Sequence, residues 1–74
     1  MTQSIRPAEL AINLFGGIRS LARAVDRDPA AISRWKKRGR IPASAQVEVL
    51  AAALERGIPM TANDIVWGRD VVAD

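Results

Sequence analysis

Eight of the eleven basic side chains lie between residues 18 and 41: Arg19, Arg23, Arg27, Arg34, Lys36, Lys37, Arg38 and Arg40, against only Asp26 and Asp28. That segment carries a net +6, and the remainder of the 74-residue chain carries −3. Guanidinium and ammonium groups at this density bind anions, phosphate oxygens above all. Arginine does so through a two-pronged hydrogen bond and lysine as a point charge. Charge this one-sided favours an anionic partner on one face over general solubility. Acid–base and metal chemistry have little to work with. The chain has no His and no Cys, which removes the usual general base, the commonest metal ligand, disulfides and thiolate metal sites. Gly16-Gly17 lacks the flanking pattern of a nucleotide-binding loop. No enzymatic activity, metal, cofactor or small-molecule ligand is expected.

Spacing sorts the charges. On a helix begun at residue 29, Ile32 and Trp35 fall close together with Ala31 beside them. Ala30, Ser33, Arg34 and Lys37 cluster on the opposite face. That face suits a DNA major groove. Small residues permit close approach, Arg can bond guanine bidentately, Ser can donate or accept, and Ala can touch a thymine methyl. Lys36, Arg38 and Arg40 sit at the helix end and in the following loop, where they are expected to reach backbone phosphates. Such contacts supply affinity without sequence information.

The elements that must position these residues are short helices. Pro7 and Glu9 suit a first turn, and Leu10, Ala11, Leu14 and Phe15 give one apolar face before Gly16-Gly17. A second helix is predicted over about 18–25, with Leu21, Ala22 and Val25 inward and Arg19 and Arg23 outward. At barely two turns it must be held by packing. Asp28 as N-cap and Pro29 as first helical residue start a third helix over about 29–38, with Gly39 as its left-handed end. A fourth is predicted from near Pro42 to Arg56, stopped by Gly57. Its Ala43, Val47, Leu50, Ala51 and Leu54 form one stripe, with Ala45, Val49, Ala52 and Ala53 on the far side. Thr61 can cap a single turn over Ala62–Trp67, with Ile58, Met60, Ile65 and Trp67 folding back on the bundle. The expected fold class is therefore all-α, a four- to five-helix bundle with its core over about 6–67 and a tail over 68–74, whose "RDVVAD" is expected as a short extended piece or disordered. A chain this short holds one small domain.

Two short helices joined by a turn of about three residues match the helix-turn-helix description. "SLARAVDRDPAAISRW" resembles the helix-turn-helix of Cro and λ-repressor-like regulators, and is most similar to small Cro-like phage regulators and YdaS-like antitoxins, where a comparable "WKK-G-RIPA" follows. Leu21, Ala22, Val25, Ile32 and Trp35 occupy the apolar positions of that motif. The likeness is specific over residues 18–45 and extends in helix order to about residue 67. It implies a λ-repressor-like fold and base-reading positions at Asp28, Pro29, Ala30, Ser33, Arg34 and Lys37. Arg19 and Ser20 fall at backbone-clamping positions. Asp28 is assigned to capping, because a carboxylate repels phosphate. Asp26-Arg27 departs from the family, which places Gly and an apolar residue there. Asp tolerates the left-handed conformation, and Arg27 is expected to lay its stem along the core edge and extend its head to solvent or phosphate.

The resulting expectation is a sequence-specific, double-stranded-DNA-binding repressor of phage or antitoxin type. It would bind a palindromic operator as a homodimer, because helix-turn-helix dimers read two half-sites about one turn apart. The candidate dimer surface is Val49, Ala52, Ala53, Val71 and Val72. The other reading is a protein-interaction module, docking a toxin or a polymerase subunit, whose basic face is incidental. No apolar run approaches the ~20 residues of a membrane span, and the N-terminus lacks a signal-peptide core, so a soluble cytoplasmic protein is expected.

Overall fold

The computed structural model describes residues 2–72, the side chain of Val72 excepted. The elements run β1 (Thr2–Ile5), α1 (Pro7–Phe15), α2 (Ile18–Ala24), α3 (Pro29–Arg38), α4 (Ala43–Glu55), α5 (Ala62–Trp67) and β2 (Arg69–Val72). Each helix differs from its predicted span by at most one residue at either end.

The all-α expectation is corrected. β1 and β2 pair as an antiparallel two-stranded sheet, with Thr2 opposite Val72 and Ile5 opposite Arg69. Residues 69–72, expected as tail, form a strand, and residues 73–74 of that tail lie outside the described residues. Ser4 Oγ donates to Asp70 Oδ1 at 2.8 Å across the pair. Gly68 leads into β2 at φ 80° and ψ −158°, and a side chain there would collide with the Ile5 carbonyl oxygen. Only glycine fits both the conformation and the close approach.

A clamp secures the junction of α5 and β2. Arg69 Nε donates to Asp64 Oδ1 at 3.3 Å, while Arg69 Nη2 donates to Asp64 Oδ2 at 2.7 Å and to the Pro59 carbonyl at 2.8 Å. Asp64 also completes a capping box with Thr61. The Thr61 N–H donates to Asp64 Oδ2 at 2.9 Å, and the Asp64 N–H donates to Thr61 Oγ1 at 3.2 Å. The hydrogen bonds from Arg69, aided by those with Thr61 and opposed by burial, lower the Asp64 carboxyl from 3.8 to about 2.

α1 packs against α2, α3 and α5, while α2 packs against α3 and α4 against α5. The largest fully buried side chains are Leu21, Ile32, Ile41 and Val49. Ile41 carries the α3–α4 loop into the core, and its carbonyl accepts from Gln46 Nε2 at 3.1 Å. This anchors the loop that bears Arg40.

The inward face of α4 is the reverse of the larger-residue stripe. Ala45, Val49, Ala52 and Ala53 are buried, whereas Val47 and Leu54 are 78% and 70% exposed. Alanines let the helix approach its neighbours closely, and Val49 fills the remaining space. The candidate dimer surface is corrected accordingly. Val49, Ala52 and Ala53 belong to the core of the subunit, Val71 is half-buried in β2, and the side chain of Val72 lies outside the described residues. Trp67, expected to fold back on the bundle, is 78% exposed. Among the described residues, no helix is long and apolar enough to cross a membrane.

Candidate nucleic-acid interface

The connection from α2 to α3 is built from two backbone devices. α2 ends in a Schellman motif, in which the Arg27 N–H donates to the Ala22 carbonyl at 2.9 Å and the Asp26 N–H donates to the Arg23 carbonyl at 3.4 Å. The motif needs a left-handed residue as donor of the second bond, and Asp26 supplies it at φ 54°. α3 then starts on a side-chain cap. Asp28 Oδ1 accepts from the Ala30 N–H at 2.9 Å, with Pro29 as the first helical residue. The Asp28 carboxylate therefore faces the first turn of its own helix, where the dipole favours it.

Arg27 stands where an apolar residue was expected, and the structure supplies its partners. Its Nη2 lies 3.1 Å from Glu48 Oε1 of α4, and its guanidinium carbon lies 5.9 Å from the centroid of the Trp35 ring. One side chain thus ties the turn to both α3 and α4. The ion pair is partly exposed on both sides, so its energy is small. The contact over the Trp face adds roughly 0.5–1 kcal/mol. Its consequence is geometric: the angle of α3 is held from the turn side.

Leu21, Ala22, Val25, Ile32 and Trp35 are all buried, and they seat α2 and α3 on the core. With Ile32 and Trp35 turned inward, the face carrying Ala30, Ser33, Arg34 and Lys37 is left outward, and all four are exposed. Their i, i+3, i+4, i+7 spacing runs the length of α3. Lys36, Arg38, Arg40 and Arg19 are exposed as well, and Ser20 is half-buried at the start of α2. Gly39 ends α3 at φ 77°, its N–H donating to the Trp35 carbonyl at 2.8 Å. The chain turns there, so Arg40 leaves the helix axis.

The electrostatics of this face are simple. Ion pairs among the described residues join Arg27 to Glu48, Arg56 to Glu55 and Arg69 to Asp64. None involves Arg19, Arg23, Arg34, Lys36, Lys37, Arg38 or Arg40, so these seven exposed cations of the basic segment have no carboxylate partner among the described residues. The face can donate hydrogen bonds to phosphate and to base acceptors without first breaking an internal pair. No group of three His, Cys, Asp or Glu side chains placed to hold a metal occurs among the described residues.

Sequence spacing alone did not bring Arg23 into the site, and it left the head of Arg27 between solvent and phosphate. In the structure they line one groove together with Arg19, Ala22 and Pro29. The available signal was the i, i+4 spacing of Arg19 and Arg23 on α2. Comparison with protein-family models, curated proteins and solved structures gives no match to this chain.

Proposed function

We infer that this chain is a sequence-specific regulator of transcription that binds double-stranded DNA, a repressor of the Cro-like kind found in phages, prophages and antitoxin systems. α3 enters the major groove. Ser33, Arg34 and Lys37 contact base edges, and Ala30 packs against them where close approach is needed. Arg19, Ser20, Lys36, Arg38 and Arg40 hold the backbone. The observation that carries this reading is the outer face of α3: four small, hydroxyl and basic residues, exposed, in register, and free of carboxylates. The helix-turn-helix likeness over residues 18–45 supports it. The protein acts by binding rather than by catalysis, in the cytoplasm of a prokaryotic cell or an infected host.

Two copies on a palindromic operator complete the reading, since one small module contacts few base pairs. The apolar surface open to a second copy includes Val47, Leu54, Val66 and Trp67, all exposed. The same surface favours a second reading, in which the chain docks a protein through α4 and α5. A selection of bound sites from random duplex DNA separates the two. Recovery of a consensus half-site, repeated at about one helical turn, supports the regulator. Failure to enrich any sequence, with no binding to random duplex at low salt, removes it.

A further inference from the structure

We propose that the groove between α2 and the start of α3 is a seat for one further backbone phosphate of the bound duplex, held by Arg19, Arg23 and Arg27. This rests on the DNA-binding reading above. The groove has a volume of about 280 Å³ and is lined by Arg19, Ala22, Arg23, Arg27 and Pro29. Three of its five lining residues are arginines, and none is acidic. Ala22, buried, puts only a methyl group toward the groove.

The three guanidinium groups are placed at some cost. Arg19 and Arg23 stand one turn apart on α2, where like charges repel. Both are exposed, and neither is in an ion pair among the described residues. Arg27 is held by Glu48 and by the face of Trp35, so its position is fixed before any ligand arrives. A single dianionic or monoanionic oxygen cluster relieves the repulsion and matches the forked donors of arginine. A phosphodiester fits this chemistry. Pro29 begins α3, so a phosphate in the groove lies beside the first turn of the helix that carries Ala30, Ser33 and Arg34. The seat would place the backbone against the N-terminal end of α3, while Lys36, Arg38 and Arg40 hold it at the other end.

The test is the salt dependence of duplex binding by the wild-type chain, Arg23→Ala and Arg23→Lys, with inorganic phosphate titrated in parallel. Arg23→Ala is expected to flatten the slope of log K against log salt by about one and to weaken all sequences by a similar factor. Arg23→Lys is expected to restore the slope. If the wild type binds duplex and Arg23→Ala keeps the full slope, the seat is wrong and the DNA reading stands. If the substitution weakens inorganic phosphate but not duplex, the groove takes free anions and the proposal is again overturned. A wild type that does not bind duplex at low salt overturns both.

Discussion

Replacing Asp64 by Asn tests the clamp at the junction of α5 and β2. Asp64 lies among the bonds from Arg69 and the Thr61 N–H, and its carboxyl is lowered from 3.8 to about 2. Each pKa unit corresponds to about 1.4 kcal/mol, so ionised Asp64 contributes roughly 2 kcal/mol to folding. The sign follows from the direction of the shift. A depressed carboxyl stabilises fully above its unfolded value near 3.8, and the contribution is lost as pH falls toward about 2. Asn keeps the size of the side chain and one acceptor oxygen but removes the charge. Urea denaturation of both proteins, followed by circular dichroism from pH 7 to pH 2, reads the difference. The variant is expected to be less stable by about 2 kcal/mol at pH 6, with the gap closing between pH 4 and pH 2. Parallel stability curves over that whole range would refute the assignment of the pair as a folding contribution.

Other substitutions probe the site and its scaffold. Arg34→Ala is expected to weaken binding to a selected site by about 1–3 kcal/mol and to relax preference at one base pair, read by competition with single-position variants. Arg38→Ala or Arg40→Ala is expected to weaken every duplex alike and reduce the salt slope by about one. Val49→Ala is expected to lower stability by about 2 kcal/mol, and Leu54→Ala by less than about 0.5 kcal/mol; thermal unfolding of the pair decides which face of α4 is the core. Asp26→Gly is expected to raise stability by roughly 0.5 kcal/mol, and Asp26→Val to lower it, because the position is left-handed.

The parts legible in the sequence were those specified by neighbours in the chain. Asp28-Pro29, Gly39, Gly57 and Thr61 mark helix ends through bonds spanning a few residues, and the helix boundaries followed. The outer face of α3 was legible for the same reason, because Ile32 and Trp35 fix which side turns inward. The sheet was not legible. It pairs residue 2 with residue 72, and neither four-residue strand carries a run of alternating apolar residues. α4 is apolar nearly all round, so periodicity could not choose its inner face. Close packing chose the alanines and left Val47 and Leu54 outside. Arg27 looked like a defect in the turn because its partner Glu48 lies 21 residues away, on another helix. The exposure of Trp67 is likewise a tertiary outcome, since its size and hydrophobicity argue for burial.

The central claim is that the basic face of α2 and α3 binds duplex DNA. Fluorescence anisotropy of a labelled random duplex, titrated with the wild-type chain at a series of salt concentrations, tests it most directly. With Lys36, Arg38, Arg40 and the groove that Arg19 lines each on a phosphate, the expected slope of log K against log salt is roughly −4. A site recovered by selection is expected to bind at least about a thousandfold more tightly than the random duplex at the same salt. Absence of binding at about 50 mM salt, or binding that does not weaken as salt rises, would contradict the claim.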